Sequence, residues 1–220
     1  MIICIAGLLN DAELGAVRET LAELPFRDGR VTAGWQAREV KHNLQADPSD
    51  AAALGLTRML RERLLANELF QIAVRPKRLS SLILSRYEPG MAYGTHVDDA
   101  LMHGLRSDVS FTLFLSPAEA YDGGELVIED AAGERAFKLP AGSAVVYPST
   151  SLHRVEQVRR GERLAAVGWA RSQLRDPGAR ELLFDLEQVR ARLAARADDP
   201  ESLGLVSKSI ANLLRRWVED

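Results

Sequence analysis

The spacing of apolar positions changes character along the chain. An apolar opening run, "MIICIAGLLN", reads as a strand. Leu14, Val17, Leu21 and Leu24 then recur on one helical face, and Asn10 followed by Glu13 has the form of a capping box at its start. A second helix is predicted from Ser49 to about Asn67, with Leu54, Leu60, Leu64 and Leu65 among its apolar positions. Between the helices "RVTAGWQAREVKHNLQ" is strand-like and loop-like by turns. From Arg78 the texture becomes short runs of β-branched and aromatic residues punctuated by Gly, Pro and Asp. They are "RLSSLILSRYEPG", "YGTHVD", "DVSFTLFLS", "GGELVIED", "ERAFKLPAG", "SAVVYPS", "SLHRVEQV" and "RLAAVGWARS". Regular short strands with turns between them predict a sandwich or barrel. Helical spacing returns after Asp176-Pro177, a favourable helix start. Leu182, Leu186, Val189 and Leu193 form one stripe, and after "ADDPES" a last helix carries Val206, Ile210, Leu213, Leu214 and Trp217. The chain is thus expected to be mainly β with flanking helices, with residues 1–176 as one domain and 177–220 as a C-terminal helical extension.

Composition narrows the function. The 220 residues carry a net charge of -3 and a pI near 5.9, which gives no basic footprint for nucleic acid and no case for a membrane surface. The single cysteine, Cys4, excludes an internal disulfide and suits a reducing, cytoplasmic setting. The apolar N-terminus lacks a basic n-region and a small-residue cleavage site.

Candidate chemistry starts in "YGTHVDDALM". Strands usually avoid aspartate, yet His96 and Asp98 alternate on a predicted strand and so face the same side. Together they can chelate one metal ion. Taken alone, the pair also suits a strand-end histidine beside a solvated aspartate. His153, at the start of a later strand, is far enough downstream for the chain to turn a barrel and return. Two histidines and one carboxylate fill three adjacent corners of an octahedron and leave three open, the geometry of non-haem iron(II) oxygenases. Arg163 supplies a permanent cation able to grip the far carboxylate of a dicarboxylate co-substrate with two parallel hydrogen bonds. A three-residue hairpin loop, Arg159-Arg160-Gly161, would pair Val158 with Glu162 and Gln157 with Arg163, placing Arg163 on the face of His153. Asp99 should point to the opposite face, towards a turn or the surface. His103 reads as a loop residue, and His42 and Asn43 either line the substrate mouth or are exposed loop polarity. Gly123-Gly124 lacks the spacing and following helix of a phosphate loop and reads as a turn.

From "RYEPGMAYGTHVDDALM" to "GERLAAVGWARSQLRD" the ordered string of motifs resembles the bacterial PKHD-type hydroxylases, relatives of prolyl 4-hydroxylase among the iron(II)- and 2-oxoglutarate-dependent dioxygenases. The resemblance covers at least Arg78 to Asp176 and implies a double-stranded β-helix (jelly roll) core. It implies His96, Asp98 and His153 as ligands of Fe(II), and Arg163 as partner of the far carboxylate of 2-oxoglutarate, where many prolyl 4-hydroxylases use lysine. Tyr87 and Tyr93 resemble aromatics of the 2-oxoglutarate pocket; ordinary strand packing is the other reading for each. The implied reaction hydroxylates an unactivated C–H of a small-molecule or peptidyl substrate and turns the co-substrate into succinate and CO2. A need for L-ascorbate and a link to iron uptake are implied by the resemblance alone. Two other readings compete: the same triad used without 2-oxoglutarate, and a catalytically idle jelly-roll metal-binding or sensing module. The C-terminal stripes would pack on the barrel or across a homodimer. The segments around Val31–Gln45 and Ala100–Arg106 would choose the substrate.

Overall fold

In the computed structural model of the chain, the described residues are 1–32, 34, 38–102 and 104–219, so His103 lies outside them. The chain runs β1 (Ile3–Ile5), α1 (Asp11–Glu23), β2 (Phe26–Asp28), β3 (Lys41–His42), β4 (Leu44–Ala46), α2 (Ala51–Ala66) and α3 (Glu68–Val74). The β-rich part follows with β5 (Pro76–Leu79), β6 (Ile83–Tyr87), β7 (Ala92–His96), β8 (Leu101–Met102), β9 (Leu105–Arg106), β10 (Val109–Phe114), β11 (Tyr121–Asp122) and β12 (Leu126–Asp130). It continues with β13 (Gly133–Phe137), β14 (Ala144–Pro148), β15 (His153–Val155), β16 (Arg160–Gly161) and β17 (Arg163–Ser172), and ends in α4 (Pro177–Arg196) and α5 (Pro200–Trp217).

Two sheets face each other. The larger has the order β1-β14-β10-β17-β6-β4-β2, with β5 also on β17; the smaller has the order β13-β12-β15-β7-β3. Strand alternation then sorts every residue of the larger sheet. Phe111, Leu113, Ala144, Val146, Leu84, Leu164 and Ala166 turn outward and form one core with Leu14, Val17 and Leu21 of α1, Leu56, Leu60 and Leu64 of α2, and Phe70 and Val74 of α3. Phe114, Val145, Tyr147 and Tyr87 turn inward against Leu126, Ile128, Phe137 and Val155 of the smaller sheet. The result is the jelly-roll core expected from the sequence, with helices covering one sheet. No helix among the described residues is long and apolar enough to cross a membrane.

Several boundaries differ from the sequence reading. The capping box is present, each of Asn10 and Glu13 bonding the other's backbone N–H at 2.9 Å. The second helix stops at Asn67, whose backbone N–H caps α2 through Leu64 O while its side chain accepts from Phe70 N to start α3. The end at Asn67 is as expected; the short helix α3 that the same residue begins was not anticipated. "RLSSLILSRY" is two strands, because Ser80 leaves β5 to hydrogen-bond with Trp169 of β17. On α4 the expected stripe is rotated: Leu182 and Val189 are exposed and the buried face is Ala179, Arg180, Leu183 and Glu187. Two of those four are charged, which hides the face from a hydrophobic count. Leu183 and Ala179 share a small separate core with Leu174 and Ile210.

The hairpin expected at Arg159-Arg160-Gly161 does not form. β15 lies in the smaller sheet and β17 in the larger, and the connection crosses between them. Gly161 (φ 75°) does take the left-handed conformation, yet β16 pairs with β11, opposing Gly161 to Tyr121 and Arg160 to Asp122. A Cβ at Gly161 would lie 2.1 Å from Ala120 O, so it is this close approach that requires glycine. Gln157 therefore does not pair with Arg163; Tyr87 does.

Candidate active site

Register brings the two histidines together. β15 and β7 are antiparallel neighbours in the smaller sheet and His153 pairs directly with His96, their ring centroids 4.2 Å apart. β7 ends at His96, so Asp98 is not a strand residue as the sequence suggested. Its carboxylate still returns to the same side, held by Ser110 Oγ, which donates to Oδ2 at 2.6 Å. Ser110 in turn shares a 2.7 Å hydrogen bond with Ser149. The ligand atoms of His96, Asp98 and His153 all lie within 4.8 Å of one another.

The ring nitrogens are oriented by backbone carbonyls. Nδ1 of His96 lies 2.8 Å from Gly94 O and Nδ1 of His153 lies 3.1 Å from Ser151 O. A proton on each Nδ1 satisfies these carbonyls and leaves Nε2 as a free lone pair, the usual outer contact of a ligating imidazole. Burial, then the neighbouring His153, pushes His96 down to about 4, so it is neutral at physiological pH. Two imidazoles beside a carboxylate are a donor set for one divalent ion with open positions remaining.

Facing this cluster from the larger sheet is Arg163, 1% exposed. All three of its guanidinium nitrogens are buried without a hydrogen-bond partner. Its cation sits 5.1 Å over the ring of Tyr87 and 5.4 Å from that of Phe114. The Tyr121 hydroxyl and Asn43 Oδ1 are likewise buried and unpartnered. Leaving such groups unpaired is costly, a guanidinium above all. A bound carboxylate is the ligand that would satisfy the guanidinium, since it accepts two parallel N–H bonds from one arginine.

The remaining expectations divide. Tyr87 is 3% exposed and lines the cavity; burial raises its hydroxyl pKa. Tyr93 stacks on His96 with ring centroids 3.7 Å apart, and burial raises its hydroxyl pKa too. Asn43 lines the cavity at 2% exposure, whereas His42 is exposed and outside it. Asp99 is exposed at the rim, its carbonyl accepting from Ser107 Oγ. Gly123 and Gly124 form a turn with positive φ, as expected, but Gly124 also makes room for Arg163: a Cβ there would lie 3.0 Å from Arg163 Cδ.

Sequence reasoning missed Lys41, Tyr147, Trp169 and the Ser110–Ser149 pair. Ser110 and Thr112 alternate inside the otherwise apolar "VSFTLF", a legible sign that this face meets polar groups. Tyr147 packs edge-on against His153 at 5.1 Å. Trp169, on the cavity wall, buries an unpartnered Nε1. Lys41 lines the cavity at 7% exposure, and burial holds its ammonium down to about 8.

A jelly-roll core holding a His/Asp/His cluster between its sheets has the donor set of the non-haem iron(II) oxygenases. Residues 82–171 match the family model described as the 2OG-Fe(II) oxygenase superfamily. A PKHD-type hydroxylase of Picosynechococcus sp. is 51% identical over 219 residues, spanning 100% of both chains. One of Acaryochloris marina is 48% identical over 219 residues, again spanning 100% of both. Among solved structures, a Pseudomonas putida prolyl-4-hydroxylase superposes with a TM-score of 0.56 at 24% identity, covering 78% of this chain and 92% of that one, a likeness of fold. The chain belongs to the PKHD-type hydroxylases, and it is a 2-oxoglutarate-dependent dioxygenase.

Proposed function

We propose that His96, Asp98 and His153 hold Fe(II), that Arg163 holds the far carboxylate of 2-oxoglutarate, and that the chain hydroxylates an unactivated C–H of a small-molecule or peptidyl substrate. The observation that carries this reading is the buried Arg163, its three nitrogens without partners, across the cavity from the cluster. When bound, Fe(II) with 2-oxoglutarate and O2 supplies the oxidation: one oxygen atom enters the C–H bond, the other enters succinate, and CO2 leaves.

The chain's own residues position these partners. Gly94 O and Ser151 O keep the two imidazoles turned with Nε2 towards the metal position. Ser110 fixes the Asp98 carboxylate through Oδ2, the oxygen 3.8 Å from His153 Nε2. Arg163 sets the depth of the co-substrate, with Tyr87 and Phe114 around its guanidinium excluding water. The buried Tyr121 hydroxyl stands ready to donate to the same carboxylate. A requirement for L-ascorbate and a role in iron uptake are proposed on kinship, and a cytoplasmic setting on the single cysteine, Cys4.

The test is reconstitution without oxygen, first with Fe(II), then with 2-oxoglutarate, followed by exposure to air. A weak visible charge-transfer band and O2-dependent succinate are expected. His96→Ala should lose the iron, and Arg163→Met should keep iron but bind 2-oxoglutarate at least about tenfold more weakly, the loss of one charge-assisted pair. Iron content unaffected by His96→Ala would overturn the reading, and so would unchanged co-substrate affinity in Arg163→Met.

A further inference from the structure

We propose that Lys41 binds a carboxylate carried by the substrate, so that the substrates of this enzyme are carboxylic acids. The inference rests on the iron and 2-oxoglutarate reading given above and names the substrate class for that site. Lys41 is the edge residue of the smaller sheet, paired in register with Tyr93, whose ring stacks on His96. Its ammonium lies 5.0 Å from the Tyr93 centroid, so one ring separates it from a metal ligand. It donates to Thr32 Oγ1 at 3.0 Å, and Thr32 is itself held by Gln45 Oε1 at 2.7 Å. That chain of contacts fixes a cation at one place on the cavity wall. An ammonium has three protons to give, and among the described residues Thr32 is the one acceptor recorded for it. No carboxylate of the described residues comes within ion-pair distance of it.

Counting charge identifies what is missing. In the loaded site the ion contributes two positive charges and Arg163 one; Asp98 contributes one negative charge and 2-oxoglutarate two. These sum to zero, and Lys41 remains. A mostly buried ammonium without a counterion is costly, and placing one on the wall of the reaction cavity supplies a partner for an anion that arrives with the substrate. The co-substrate does not fill that role, because its far carboxylate is taken by Arg163 on the opposite sheet. Asp28, the carboxylate besides Asp98 whose charge acts on Lys41, does not fill it either, being exposed and paired with Arg30 at 3.1 Å, and Asp99 is exposed at the rim. A carboxylate held at Lys41 would be anchored beside the metal position, leaving the rest of the substrate to present its C–H.

The experiment uses the full chain loaded with Mn(II). Calorimetry first measures 2-oxoglutarate, then, at saturating 2-oxoglutarate, three probes: N-acetyl-alanine, N-acetyl-leucine and N-acetyl-phenylalanine, each against its carboxamide. At least one acid is expected to bind tenfold or more tightly than its amide. Lys41→Met should reduce that preference below twofold, while Lys41→Arg restores most of it and both variants keep 2-oxoglutarate affinity within about twofold of the parent. Acids and amides binding the parent alike, or Lys41→Met keeping the preference, would overturn the proposal. Loss of 2-oxoglutarate binding in Lys41→Met would reassign Lys41 to the co-substrate and overturn it as well. Failure of the parent to bind 2-oxoglutarate at all would instead bring down the underlying reading.

Discussion

At the scale of single residues, burial does most of the chemical preparation. His96 is held down to about 4, first by desolvation and then by its neighbour His153. The unfolded chain takes up that proton near 6.5, so between about 4 and 6.5 the unfolded state binds more protons and stability rises with pH. In metal-free protein the contribution is fully present above 6.5 and is lost as pH falls through this window. Urea unfolding of the parent and of His96→Leu between pH 4.5 and 6.5 checks this. The parent should lose stability on acidification more steeply, by up to ~1.4 kcal/mol per pH unit; parallel curves would show that His96 does not titrate as its burial requires. The same residues show how much of the site was legible. His96, Asp98, His153 and Arg163 could be read because metal and carboxylate chemistry restricts residue type and because their motifs resemble a family. Lys41 could not, since a lysine in "VKHNLQ" looks like ordinary surface charge until the fold buries it.

At the scale of elements, period-two alternation made most strands visible, and short-range turn logic failed where the chain changes sheets. The hairpin proposed around Gly161 was built on a local signal, positive φ at a glycine, which the structure confirms. What sequence spacing could not supply is that β15 and β17 belong to opposite sheets, so the partner of Arg160–Gly161 is Tyr121–Asp122 and not β15. Arg163 faces inward for another reason: it begins β17 opposite Tyr87, on the face that continues through Ala165, Val167 and Trp169. The turn at Gly123-Gly124 belongs to the same device. Gly124 has φ +68°, and a Cβ there would lie 3.0 Å from Arg163 Cδ, 3.0 Å from Val158 Cγ2 and 3.1 Å from Tyr121 Cε2. Gly124→Ala is therefore expected to cost ~1–2 kcal/mol in backbone strain and also to displace the stem of Arg163. Melting curves read the first effect and calorimetric titration with 2-oxoglutarate the second. A variant that melts earlier but binds 2-oxoglutarate with parental affinity would show that Arg163 does not depend on this turn.

At the scale of the whole molecule, the catalytic sheets and the C-terminal helices meet through charge as well as apolar packing. The buried face of α4 includes Arg180, which donates to the carbonyls of Leu174 at 2.6 Å and Arg175 at 2.9 Å, and Glu187, which pairs with Arg75 at 2.9 Å. Arg75 closes α3 in a left-handed conformation (φ 46°), so this ion pair joins the end of one helix to the middle of another. Both side chains are nearly buried, 11% and 6% exposed. Removing one partner leaves the other charge stranded, which typically costs ~3–5 kcal/mol, whereas replacing both by apolar groups is often close to neutral. Glu187→Ala should therefore lower the urea midpoint substantially, and the double variant Arg75→Met/Glu187→Leu should recover most of the loss. Neither residue lines the cavity that holds His96, Asp98, His153 and Arg163. Both variants should consequently bind Mn(II) and 2-oxoglutarate like the parent while they remain folded. A double variant no more stable than the single would mean that the pair contributes specific geometry and not merely mutual neutralisation. A drop in co-substrate affinity in the folded single variant would mean that the helical layer reaches through the larger sheet to the site, as the packing of Phe70 of α3 edge-on against Phe111 of β10, one residue from Ser110, gives it a route to do.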